Sequence, residues 1–233
     1  MKVSGRAVLV VGLAFALAVA GNSSASAAAS ARWEMNEPAG ATTMVDSGGA
    51  GLNGVVGTEV RTGVAVSGAV VYRFPWVSGL GTAYRPQRLV TVADNPYLDV
   101  TGASYQVSLR LKTKQTYVNV IQKGQSGNSG GYWKIELDNG YPNCLFRGPN
   151  GSLTVTSSVR VSDNAWHTVS CNHSTQGLQV VVDGVAGNLR AGSTGQINNN
   201  RPVAIGGKVN CDGVTAKCDY LSGDVDRVEI VKS

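Results

Sequence analysis

The sequence predicts an all-β protein, an antiparallel β-sandwich in a single domain, and three observations carry that prediction. Apolar and polar residues alternate strictly in several segments, most clearly in 105–112, where Tyr105, Val107, Leu109 and Leu111 face one way and Gln106, Ser108, Arg110 and Lys112 the other. Dipeptides suited to positive-φ turns, Asn139-Gly140, Asn150-Gly151 and Asp183-Gly184, stand at the spacing expected between antiparallel neighbours. The chain carries 30 glycines, and no amphipathic helix of useful length is legible after the first thirty residues. No repeat of roughly 20–50 residues is visible, which disfavours a solenoid or propeller.

Taken in order, residues 1–29 read as a cleaved secretory signal. Lys2 and Arg6 form a basic start, residues 8–20 are apolar, and Ala25-Ser26-Ala27 or Ala27-Ala28-Ala29 offers small residues to a peptidase. The apolar run is shorter than the roughly 20 residues that a bilayer span needs. The chain closes on VEIVKS with no hydrophobic tail, so the expected product is residues 30–233, free, extracellular and monomeric, without a membrane anchor. Residues 72–88, YRFPWVSGLGTAYRPQR, break the alternation with prolines, glycines, arginines and aromatics and read as a long ordered loop between sheets. Strands are expected at 105–112, 117–122, 133–138, 152–156, 202–205 and 225–231, and the stretch 165–184 spells a complete hairpin. Trp33, Trp133 and Trp166 lie in strand patterns and are expected in the core.

Charged residues make up only 15% of the chain, below the roughly 25% usual for soluble domains. The net charge of +5 falls to +3 once Lys2 and Arg6 leave with the signal, and no run of basic residues follows, so nucleic acid is not an expected partner. Four cysteines in an exported chain imply two disulfides, and three pairings exist. Cys211 and Cys218 close a short loop and form the natural local pair, which leaves Cys144 to join Cys171 across neighbouring strands. A zinc site lacks the close Cys-x-x-Cys spacing it would need.

The ordered pieces WEMNEPAG, DSGGAGLNG, YLDV, YQVSLRLKT, KGQSGNSGGYWKIEL, CLFRG, AWHTVSC, VVVDG and YLSGDVDRVEIV resemble a laminin G-like jelly roll of the concanavalin A-like lectin and glucanase superfamily. Within it, the chain looks like the bacterial secreted branch with two disulfides, and the resemblance spans about 33–231. It implies two stacked antiparallel sheets with the chain ends side by side on one of them. It implies no single activity, because the superfamily holds lectins, adhesion modules, glycosidases and polysaccharide lyases.

Candidate sites follow from that range. Glucan-cleaving relatives carry E-x-D-x-x-E; here Glu136 and Asp138 begin such a motif, but Tyr141 stands at the third carboxylate, so a glycosidase acid/base pair is incomplete. A lyase would need a histidine or tyrosine base with partners. His167 reads as scaffold and His173 as a loop-edge residue without a partner. Sugar binding needs an exposed aromatic face with polar groups around it. Trp76, Tyr84, Arg73, Arg85 and Arg88 form the candidate rim, extended by Tyr117 or Tyr141; the alternative is that Phe74 and Trp76 plug the sandwich. Many relatives hold one structural calcium ion, for which Asp46 and Asp226, joined by Asp224 or Asp219, are the candidate ligands. No cofactor is required. The expected function is a secreted, non-catalytic module binding carbohydrate or a glycan-bearing surface. The alternatives are a polysaccharide-active enzyme and an extracellular protein-interaction module.

Overall fold

The computed structural model describes residues 1–2, 30–76, 85–209 and 218–233. The expected signal (residues 1–29), Tyr84 and Cys211 lie outside or almost wholly outside these residues. Strands are numbered in chain order. One sheet runs β14 (Val185–Ala186), β13 (Gly177–Val182), β12 (His167–Ser174), β7 (Ser104–Thr113), β17 (Gly223–Lys232), β5 (Ala69–Phe74) and β4 (Arg61–Val66), with β1 (Ala31–Trp33) also on β17 and β15 (Arg190–Ala191) on β13. The facing sheet runs β11 (Gly151–Thr156), β10 (Tyr141–Gly148), β9 (Tyr132–Asp138), β8 (Val118–Lys123), β16 (Val203–Ile205), β6 (Val90–Val92), β3 (Gly54–Val56) and β2 (Thr43–Met44). The described strands pair antiparallel throughout, and two single-turn 3-10 helices, Pro86–Arg88 and Pro96–Leu98, are the helical elements described. None is long and apolar enough to cross a membrane.

Alternation places the core. Val107, Leu109 and Leu111 of β7 face Trp133, Ile135 and Leu137 of β9, all buried, while the intervening polar residues point outward. Tyr105, Trp133 and Phe146 form an aromatic cluster with ring centroids 5.8–6.3 Å apart. The chain ends meet as implied, Ala31 pairing with Ile230.

Several expectations need correction. The Cys144–Cys171 bond forms, with Cα atoms 5.8 Å apart, but it joins β10 of one sheet to β12 of the other and does not link neighbouring strands. Both side chains point into the core, so the bond ties the two layers together. Closing that loop stabilises the fold by roughly 3.5 kcal/mol on the chain-entropy estimate. The expected partner of Cys218, Cys211, falls outside the described residues, and no described cysteine is free.

The turn after β10 centres on Pro149 and Asn150, because Gly148 pairs with Gly151, so Asn150-Gly151 is not its central dipeptide. Proline at the first central position sets the register one residue earlier. Residues 72–74 are strand, not loop: Tyr72 and Phe74 fill the core at the end of β5, and the irregular stretch begins at Pro75. Trp33 and Trp133 are fully buried, whereas Trp166 lies outside the core on the outward parity of Thr168 and Ser170. There the Arg110 guanidinium sits 4.4 Å over its ring.

Candidate functional site

A cleft of about 830 Å³ opens at one end of the first sheet. One wall is the end of β5 and the two residues after it, Arg73 to Trp76; the other is the end of β7 and the segment following it, Lys112 to Tyr117, with 219–224 forming the floor. Trp76 is 72% exposed and Tyr117 64% exposed, although both are large rings that a folded chain ordinarily covers. Trp76 therefore does not plug the sandwich; Phe74, two residues earlier and the last residue of β5, does.

Both walls are braced from behind. Arg88 is only 5% exposed; its Nη2 donates to the Pro75 carbonyl at 2.5 Å and its Nη1 meets Glu59 at 3.2 Å, beside the Tyr220 ring. Burial lowers the Arg88 pKa, while Glu59 opposes that shift. Arg85 pairs with Glu59 at 3.3 Å, and its backbone N–H donates to the Tyr220 hydroxyl. On the other wall, Thr113 Oγ1 donates to the Ser222 carbonyl at 2.7 Å and Gln115 Nε2 to the Tyr220 carbonyl at 3.1 Å. The Ser222 N–H donates back to Gln115 Oε1.

Among the described residues the cleft is net positive. Arg73 Nε and Nη2 donate to Asp224 at 2.7 and 3.0 Å, and this fork holds the guanidinium above its ordinary pKa. Asp224 stands in one row between Arg73 and Lys112. The other lining carboxylate, Asp219, meets Lys208 at 2.8 Å. With both acids committed, Lys112 and Lys114 contribute charge that no carboxylate balances among the described residues of the cleft.

Of the residues singled out from the sequence, the structure brings Arg73, Trp76 and Tyr117 to this cleft and assigns Arg85 and Arg88 to its bracing; Tyr84 is outside the described residues. Sequence reasoning missed Lys112 and Lys114, whose only signal was a polar parity at the end of an alternating strand. Glu136 is held by Lys134 at 2.5 Å on the outer face of β9, with Asn119 and Asn143 opposite it, while Asp138 ends the strand at the exposed turn into Tyr141. Among the described residues no third acid joins these two carboxylates.

The calcium candidates are engaged by other groups. Asp46 accepts the backbone N–H groups of Arg32, Gly48 and Leu52 at 2.8–3.0 Å, and Asp226 is held by Arg110 at 2.6 Å. Among the described residues no three acidic, histidine or cysteine side chains gather as a metal site would require.

The histidines are also better partnered than their sequence context suggests. His167 bridges Asp183 and Asp163 at 2.7 and 3.0 Å. His173, on the inward parity of β12, stacks on Phe146 at 5.2 Å and meets Thr194 Oγ1 at 3.0 Å. Both are structural.

Known structures repeat this architecture. Laminin G-like domains LG4-5 of the mouse laminin α1 chain align at 18% identity and a TM-score of 0.51, over 60% of this chain and 38% of that one. The binding domain of Paraclostridial Mosquitocidal Protein 1 aligns at 15% identity and a TM-score of 0.60, over 81% and 46%. A botulinum neurotoxin type C structure, described as entering cells in dependence on two ganglioside molecules, aligns at 13% identity and a TM-score of 0.57, over 81% and 44%. The chain thus spans less than half the length of each. No curated protein matches it. Residues 111–231, more than half of the chain, match the Laminin G domain family, to which this protein belongs.

Proposed function

We propose that the protein is an exported, non-catalytic carbohydrate-binding domain whose ligand lies in the cleft of Trp76 and Tyr117. The observation that carries this reading is the pair of exposed aromatic rings lining one braced, basic cleft. Aromatic faces stack on the C–H faces of sugar rings, and the polar groups around them orient hydroxyls. Lys112 and Lys114 favour a sugar chain carrying acidic groups over a neutral one. Export is supported by the basic and apolar residues at the start of the chain and by the Cys144–Cys171 bond. The ganglioside dependence described for a structural neighbour agrees with a glycan ligand. An enzymatic reading has no comparable support, since Glu136 is tied to Lys134 and Tyr141 stands where the motif begun by Glu136 and Asp138 needs its third carboxylate.

Titration calorimetry against a panel of neutral and acidic oligosaccharides tests this. Trp76→Ala is expected to weaken binding by about 1–3 kcal/mol without altering thermal stability. The Lys112→Gln, Lys114→Gln double variant is expected to flatten the salt dependence. Unchanged affinity in Trp76→Ala, or binding to none of the panel, overturns the reading.

A further inference from the structure

A second cleft, of about 640 Å³, lies at the opposite end of the molecule from Trp76. Tyr117 of the first cleft immediately precedes β8, and the second begins at Ser126, three residues after β8 ends. At about 3.3 Å per residue the strand alone separates them by roughly 20 Å.

The second cleft is polar where the first is aromatic. The glycine-rich loop 126–131 lies along one side, Tyr132 and Arg147 on the other, and Asn128, Gln196 and Asn198 supply amides. Tyr132 and Arg147 are directly opposed on β9 and β10, so both side chains stand on the outward face at the rim. Among the described residues no carboxylate lines this cleft, so Arg147 gives it an unbalanced positive charge.

Its framework is fixed before any ligand arrives. Gly130 and Gly131 adopt φ of 82° and 83°, and a Cβ on either would lie 1.7 Å from the Asn198 carbonyl oxygen or 2.1 Å from that of Arg147. No other residue permits this approach. Asn198 N–H donates to the Gly130 carbonyl at 2.9 Å and Asn199 Nδ2 to that of Gly131 at 3.0 Å. Beneath them Lys123, fully buried, is held by Asp94 and Asp99 at 2.8 Å and donates to the Asn199 carbonyl. Lys123 thereby anchors the 198–199 segment, and the bonds to the Gly130 and Gly131 carbonyls tie the loop to that segment.

We propose that this cleft is a second, metal-independent binding site for the carboxylate-bearing ring of a sugar acid. Arg147 takes the carboxylate through its planar fork, and Tyr132 with the three amide side chains takes the ring hydroxyls. A rigid, singly cationic site without competing acids suits a planar anion, and its amides suit hydroxyls that a bare inorganic ion lacks. The assignment does not depend on the first cleft binding anything.

The test uses the isotopically labelled full-length mature protein and follows amide and arginine side-chain resonances. Methyl glucuronide is the probe, with methyl glucoside and acetate as comparison ligands. The expected result is that the glucuronide moves the amides of 126–131 and the Arg147 side chain, acetate moves chiefly the latter, and the glucoside moves neither. Arg147→Gln is expected to weaken glucuronide binding there by about tenfold to a hundredfold, and Trp76→Ala to leave it unchanged. Shifts that persist in Arg147→Gln, equal shifts from glucuronide and glucoside, or equal shifts from glucuronide and acetate overturn the assignment. Loss of these shifts in Trp76→Ala would place the binding in the first cleft and overturn it too.

Discussion

Arg88 shows how a buried side chain shapes an exposed one. Its guanidinium reaches the Pro75 carbonyl and Glu59 from beneath, and Pro75 carries Trp76, so the indole is displayed from an anchored corner. Arg88→Gln removes the charge-assisted bond to Pro75 and takes from the partly buried Glu59 one of the two arginines that pair with it among the described residues. The expected outcome is a loss of about 1–3 kcal/mol in stability together with weaker sugar binding, although Arg88 touches no ligand. Restoring the cation with Arg88→Lys should recover stability more than binding, because an ammonium cannot engage Pro75 and Glu59 with a planar fork. Denaturant titration and calorimetry on the same two variants check this; equal recovery of both quantities would count against a positioning role. From sequence alone Arg88 and Trp76 shared a loop and looked alike. Burial separated them.

At the scale of the element, the hairpin of β12 and β13 was legible, because its strands alternate or run apolar on either side of the polar turn that Ser174 and Gly177 close, and the next turn, into β14, falls at Asp183 and Gly184 with φ of 51° and 79°. The long strands β7, β9 and β17 were legible for the same reason. The strands β1 to β6 were not: several have two or three residues, too few for any period to show, and their pairing partners lie far along the chain. The cleft was half legible. Trp76 and Arg73 stood in a segment of unusual composition and Tyr117 was named as an extension of it, whereas Lys112 and Lys114 join them only through the pairing of β7 with β17 and of β17 with β5.

The start of the same hairpin carries a pH-dependent tie. Burial disfavours the charged form of His167, but hydrogen bonds to Asp183 and then Asp163 outweigh it and raise its pKa above 6.5. A raised histidine pKa contributes stability below the unfolded value, about 6.5, and that contribution fades as pH rises through the folded value. His173 acts in the opposite sense, since burial lowers its pKa and protonation below about pH 6.5 destabilises the fold. His167→Gln isolates the first effect. The stability difference between the native protein and this variant is expected to be larger at pH 5.5 than at pH 8, measured by denaturant titration at both. A difference that does not change with pH would show that the Asp163–His167–Asp183 link carries no charge.

For the whole molecule, the arrangement of the two clefts decides what kind of binder this is. Two sites on one face would act together on a single chain segment, raising affinity through effective concentration. Sites at opposite ends of β8 face away from each other, and a rigid sandwich held by the Cys144–Cys171 bond cannot fold back to bring them together. One molecule would then engage two polysaccharide chains and bridge them. With a polyuronate such as polygalacturonate, light scattering should rise as protein is added, peak, and fall once excess protein occupies each chain separately. Trp76→Ala and Arg147→Gln are each expected to abolish the peak while leaving one class of binding measurable by calorimetry, because bridging needs both ends and binding only one. Self-association would mimic bridging with a single site, so the protein's mass is measured in parallel by light scattering without polysaccharide. A monomer whose single-site variants still produce the full peak would rule out bridging through these two ends.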